Sequence, residues 1–148
     1  MKRRILLVDD DLAVLLTLKA VLELHGFEVE TAASTAEAFA RLESADYHMV
    51  ISDLRMETEE AGMEVIRAAR RQRYDPATAL LTAYPPSGDH INREYANEEQ
   101  PESMLVKPLG TGDLVRQIEA LLIRHADQQQ FRQRQSSAQA QLRRRPAS

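Results

Sequence analysis

The run His48-Met49-Val50-Ile51-Ser52-Asp53-Leu54 constrains this chain more than any other stretch: it is short, apolar, and ends abruptly in a carboxylate. About four to eight apolar residues bounded by polar ones read as a strand buried on both faces, as in a parallel sheet. An acid at the end of such a strand stands at the sheet's C-terminal edge, where open α/β folds keep their ligand crevice. The N-terminus repeats the pattern, Ile5-Leu6-Leu7-Val8 running straight into Asp9-Asp10-Asp11. Two strands that end in acids can pool them only as neighbours.

Each of these acids, taken singly, is also explained as the N-cap of the next helix, and Asp11 is read as such a cap. Capping does not account for the later strands. Leu80-Leu81-Thr82 ends in a hydroxyl, and Met104-Leu105-Val106-Lys107 ends in an ammonium followed by Pro108. An acid pair, an acid, a hydroxyl and a lysine, each after its own apolar run, point to one shared site.

Between these runs the pattern turns helical. Val14, Leu15, Leu18, Val21 and Leu22 fall on one face, and His25-Gly26 closes that helix, Gly being common just past a helix end. His25 is read as a surface residue at that end. Phe27 to Thr31 alternates with the strand period. Ser34-Thr35-Ala36-Glu37 is a capping box that opens a short helix through Leu42. A polar loop runs from Arg55 to Gly62, then a helix to about Arg71 with Val65, Ile66 and Ala69 inward. Arg67, Arg70, Arg71 and Arg73 make a basic stripe, read as a solvated face rather than a nucleic-acid contact.

Ala77 to Thr82 is the fourth strand. Tyr84-Pro85-Pro86-Ser87-Gly88 then breaks structure, and Asn92 to Pro101 is acidic with few apolar anchors, so a short helix or an irregular loop is expected there. Met104 to Val106 is the fifth strand. A last helix from about Asp113 to Arg124 carries Leu114, Ile118, Leu121 and Leu122 on one stripe. The order is β-α five times over, which implies a parallel sheet with right-handed crossovers and helices on both faces.

At 148 residues the chain holds one domain. No cysteine is present, so disulfides and thiolate metal sites are excluded. No apolar run reaches bilayer-spanning or signal-peptide length, and a cytoplasmic protein without a membrane contact is the expectation. Residues 124–148 carry six arginines against one acid, a charge of +5, whereas residues 1–123 carry 13 basic and 22 acidic residues, a charge of −9. An acidic body with a polar, basic tail follows. With Phe131 and Leu142 as its large apolar residues, the tail cannot bury enough to fold alone. It prolongs the last helix or stays disordered. Arg132, Arg134 and Arg143 to Arg145 could give salt-sensitive nucleic-acid affinity, but a solvated tail is the favoured reading.

Val8-Asp9-Asp10-Asp11, Ser52-Asp53-Leu54-Arg55-Met56, Leu81-Thr82-Ala83-Tyr84 and Val106-Lys107-Pro108 together resemble the receiver domain of bacterial two-component response regulators. The resemblance covers residues 3–124, leaving 125–148 as an Arg/Gln-rich tail. It implies an α/β, three-layer, doubly wound five-stranded parallel sheet of order 2-1-3-4-5 (flavodoxin-like), here with an irregular or shortened fourth helix. That order sets strands 1 and 3 side by side, as the acids require.

Carried over residue by residue, the resemblance makes Asp53 a phosphoacceptor that takes a phosphoryl group from a phosphohistidine. Asp10, Asp53 and the main-chain carbonyl of Arg55 would bind Mg²⁺ (or Mn²⁺) directly, and Asp9 through a metal-bound water. Thr82 and Lys107 would bind phosphoryl oxygens. Such a domain promotes its own phosphorylation and dephosphorylation without being a turnover enzyme. The implied partners are a sensor histidine kinase or histidine phosphotransfer protein, an unidentified downstream protein and a possible homodimer. A receiver-like interaction module that signals without phosphorylation is the alternative. A flavin carrier of the same fold is disfavoured, because three aspartates would repel a phosphate after strand 1.

Three features depart from the family pattern. The usual Met-Pro after the aspartate is Met56-Glu57, and Gly62 comes one residue late, giving a longer, more acidic loop whose Glu57, Glu59 and Glu60 would either tighten cation binding or repel the incoming phosphoryl donor. The switch aromatic before the lysine is replaced by Met104. The stretch from Thr82 to Lys107 is about three residues longer than usual, with Pro85-Pro86 where the fourth helix should begin. These predict a non-standard output face, so that the usual dimer through helix 4, strand 5 and helix 5 is not the active form. Arg55 and Tyr84, both bulky, would flank the path of hydrolytic water and slow self-dephosphorylation.

Overall fold

A computed structural model of the chain describes residues 2–54, 56–58, 60–82, 101–106 and 111–144, without the side chains of 106, 111 and 136–144. Five strands, β1 (Arg4–Val8), β2 (Glu28–Ala32), β3 (Met49–Asp53), β4 (Ala77–Thr82) and β5 (Ser103–Val106), form one sheet. Its order is β2-β1-β3-β4-β5 and every pairing is parallel. Among the described residues the helices are α1 (Leu12–Leu24), α2 (Thr35–Ser44), α3 (Ala61–Arg70) and, as α4, the C-terminal helix (Thr111–Arg144). The five-stranded doubly wound sheet expected from the sequence is therefore present. The expected irregular helix between β4 and β5 lies outside the described residues.

Strand periodicity builds the two cores. Side chains alternate across a strand, so Ile5 and Leu7 face one side of β1 while Leu6 and Val8 face the other. The first set joins Met49, Ile51, Ala79 and Leu81 under α1 and α4, through Leu15, Leu22, Leu114, Ile118 and Leu121. The second joins Val50 under α2 and α3, through Ala38, Leu42, Val65 and Ala69. Met49, Val50 and Ser52 are wholly inaccessible, which is why β3 reads as a continuous apolar run rather than an alternating one.

Local signals fix where the helices begin. Asp11 Oδ1 accepts from the backbone N–H groups of Ala13 (3.0 Å) and Val14 (3.4 Å), so it is the N-cap of α1. Ser34 Oγ accepts from Glu37 N at 3.1 Å, while Glu37 reaches back to Ala33 N at 2.9 Å. The box is thus displaced by one residue from the usual reciprocal pair. His25 is the exposed C-cap of α1, its Nδ1 donating to the Val21 carbonyl at 2.9 Å, and Gly26 supplies the left-handed turn at φ 92°.

The C-terminal helix runs to Arg144, so the tail after Arg124 prolongs it, one of the two outcomes expected from the sequence. Its buried stripe continues through His125, which is only 6% exposed. His125 Nε2 donates to the Asp75 carbonyl at 2.8 Å, and Nδ1 stands 2.6 Å from Glu102 Oε1. One turn on, Gln129 Nε2 also reaches that carbonyl at 3.0 Å, and Arg132 reaches the Asp75 carboxylate at 2.8 Å. Asp75 sits at φ 46° in the corner before β4, so three side chains of the helix grip one strained corner. Among the described residues no helix is long and apolar enough to cross a membrane.

Candidate functional site

Parallel register levels the ends of the central strands. Val8 pairs with Ser52, so Asp9 and Asp53 are the next residues on neighbouring strands. Asp53 in turn pairs with Leu81, which places Thr82 one step further along the same edge. Thr82 pairs with Val106, the residue before Lys107. Sheet order and register alone thus carry acids, hydroxyl and the strand leading to the lysine to one edge.

The carboxylates of Asp9, Asp10 and Asp53 gather there, one oxygen of each lying within 4.8 Å of the others. Asp9 is buried, Asp53 half-buried and Asp10 exposed. Asp9 is held in place at both ends: its N–H donates to the Ala32 carbonyl at 3.1 Å, and its Oδ1 accepts from Asp11 N at 3.0 Å. The triple aspartate therefore divides its work, Asp11 capping α1 while Asp9 and Asp10 turn to the sheet edge. Repulsion among carboxylates this close is on the order of a few kcal/mol per pair. Oxygen donors so arranged suit a hard divalent cation, and the donor set fits one.

Asp53 is positioned by its own strand and by α3. Ser52 Oγ donates to the Asp53 carbonyl at 3.0 Å, and Leu54 N donates to the Leu81 carbonyl at 3.0 Å. Gly62, in the first turn of α3, donates its N–H to the Leu54 carbonyl at 3.0 Å. A Cβ on Gly62 would fall 2.2 Å from the Asp53 carbonyl oxygen and 2.6 Å from Leu54 Cα. Only glycine lets the helix approach the end of β3 this closely. Its spacing was visible in the sequence, but this packing role was not.

Thr82 is buried at the same edge, at 5% exposure. Met104, opposite Leu80 in the ladder, is half-buried and packs against Met63, Ile66 and Leu80. Of the remaining candidates, Arg55, Tyr84 and Lys107 lie outside the described residues. Glu57 lies apart from these acids. Its carboxylate does not join the acid cluster but accepts from Thr35 N at 3.2 Å and from Thr35 Oγ1 at 2.7 Å. A helix start competes successfully for this charge, because its free N–H groups and dipole favour an anion.

Residues 5–119 match the family model described as the response regulator receiver domain. The transcriptional regulatory protein CpxR homolog of Haemophilus influenzae is 35% identical over 123 residues, covering 83% of this chain and 52% of that protein. The chain thus spans about half the length of the curated relatives it matches. A CheY-like response regulator receiver domain protein from Methanospirillum hungatei superposes with a TM-score of 0.75 at 28% identity, over 86% of this chain and 99% of that one. A structure described as adenylate cyclase from Rhodopirellula baltica gives 0.71 at 30% identity, over 98% of this chain and all (100%) of that one.

Proposed function

Because the chain belongs to the response regulator receiver domain family, we propose that Asp53 accepts a phosphoryl group from a phosphohistidine on a sensor histidine kinase or histidine phosphotransfer protein. The observation that carries this reading is the convergence of the Asp9, Asp10 and Asp53 carboxylates at the sheet edge that also holds Thr82. In the transfer, a carboxylate oxygen of Asp53 forms a bond to phosphorus as the phosphorus–nitrogen bond of the donor breaks. That bond's electron pair returns to the donor imidazole. No base is needed, since an aspartate nucleophile carries its charge already.

Phosphoryl transfer asks for positioning and for neutralisation of charge on the equatorial oxygens. Asp9, Asp10, Asp53 and the main-chain carbonyl of Arg55 would hold Mg²⁺ (or Mn²⁺). The chemistry such an ion supplies is offsetting the charge that carboxylates and phosphoryl oxygens share. Thr82 and Lys107 bind phosphoryl oxygens in this reading, and the acyl phosphate then switches protein–protein contacts. Receiver domains are in general signalling modules and not turnover enzymes, and this chain is read the same way.

Intact mass after incubation with acetyl phosphate and Mg²⁺ tests the proposal. A gain of one phosphoryl group in the wild type and none in Asp53→Ala is the expected result. A wild type that gains nothing, under conditions that label another receiver, favours an interaction module working without phosphorylation.

A further inference from the structure

Resting on that reading, we infer that Glu57 is a positioning residue for the phosphoryl and cation site, tying the loop after Asp53 to the start of α2. Thr35 is the first residue of α2, and its N–H is one of the helix's orphan donors. Ser34 already spends its hydroxyl on Glu37 N. Glu57 supplies the missing acceptor from 22 residues away: Oε1 lies 3.2 Å and Oε2 3.4 Å from Thr35 N, and Oε2 lies 2.7 Å from Thr35 Oγ1. A carboxylate is favoured there by the positive end of the helix.

The tie completes a set of restraints on one short loop. Leu54 N donates to the Leu81 carbonyl and Gly62 N to the Leu54 carbonyl, each at 3.0 Å, so the loop's two ends are fixed to β4 and to each other. Inside it, Met56 N donates to the Thr58 carbonyl at 3.2 Å, and the Met56 side chain packs half-buried against the core under α2. Glu57, next to Met56, then clamps the loop's outer turn to α2. The same loop carries residue 55, whose carbonyl belongs to the proposed ligand set. Partners that orient ligands without touching the metal commonly govern affinity by about 10- to 100-fold. Glu57 therefore acts on the cation through loop geometry, and not as a further negative charge beside it.

Calorimetric titration of Mg²⁺ into the full chain separates the two modes of action. Glu57→Ala is expected to weaken Mg²⁺ binding roughly tenfold. Glu57→Gln, which keeps an acceptor for Thr35 but drops the charge, is expected to stay near wild type. Thr35→Val should fall between the two and add nothing to Glu57→Ala. Unchanged affinity in Glu57→Ala overturns the inference, and so does Glu57→Gln binding as weakly as Glu57→Ala, which would assign the effect to charge. A wild type that binds no Mg²⁺ overturns the site reading itself, and the inference falls with it.

Discussion

Glu102 and His125 meet at 2.6 Å, joining the start of β5 to the C-terminal helix through a histidine that is almost wholly buried. With Nε2 on the Asp75 carbonyl and Nδ1 facing Glu102, both ring nitrogens point at acceptors, an arrangement that suits the imidazolium. The Glu102 carboxylate raises the His125 pKa most. Burial pulls it down, and the Asp75 carbonyl and carboxylate push it up again. Arg132 also contacts the Asp75 carboxylate, and Arg3 lines the same cavity as His125.

A pH dependence follows, with a definite sign. His125 has a folded pKa above its unfolded value, so its stabilisation is fully present below about 6.5 and is lost as pH rises through the folded pKa. Thermal melting from about pH 5.5 to 8.5 should show this loss in the wild type and not in His125→Gln. That variant should cost about 1.5–3 kcal/mol near the acid end of the range, the worth of a hydrogen bond to a charged group. His48 works in the opposite sense. Burial first, then Arg3 and Arg4, lower its pKa, and Arg4 N donates to its Nδ1 at 2.9 Å. Its contribution is present above the unfolded pKa and fades as pH falls through it, so a His48→Asn variant should steepen the gain on acidification.

Gly62→Ala should be among the most damaging single-methyl additions in the domain. The added carbon would meet backbone, at 2.2 Å from the Asp53 carbonyl oxygen, and backbone cannot swing aside as a flexible side chain would. Overpacking of this kind costs about 1–3 kcal/mol and at times more. Urea unfolding should report that loss, and acetyl phosphate labelling of the folded fraction should drop because the carbonyl of Asp53, the proposed phosphoacceptor, is displaced.

Asp10→Asn removes one charge from the carboxylate group of three. Mg²⁺ affinity measured by titration should fall by more than about tenfold, since hard cations are held by the number and charge of oxygen ligands. Folding stability without the ion should not fall, because Asp10 is exposed and its loss relieves repulsion.

The family resemblance implies that Tyr84 and Arg55 would flank the approach of hydrolytic water. Tyr84→Ala should lose its phosphoryl group faster than the wild type, read by intact mass against time after removal of the donor. A slower loss in the variant would count against the shielding role.

Much of this was legible from residue order. β4 was bounded at Ala77 and Thr82 by its run of small and aliphatic residues, and the structure has the same limits. Asp11, Ser34 and Gly26 announced helix ends because capping is local chemistry. The partners of Glu57 and Gly62 were not legible, because each depends on how a loop and a helix pack against an element distant in sequence. Composition alone places His125 in the polar tail. The signal that places it in the fold is spacing: Leu114, Ile118, Leu121, Leu122, His125, Gln129 and Arg132 continue one stripe at helical intervals. A stripe that turns from apolar to polar midway reads as the end of a buried face, and here it marks a change from apolar packing to hydrogen bonding on the Asp75 corner.

Chemical mapping of the phosphoryl group tests Asp53 as its acceptor. After acetyl phosphate and Mg²⁺, borohydride reduction converts an aspartyl phosphate to homoserine, and peptide sequencing by mass spectrometry locates it. Homoserine is expected at position 53 alone, and at no position when Mg²⁺ is chelated. Homoserine at another aspartate, with position 53 intact, would contradict that role.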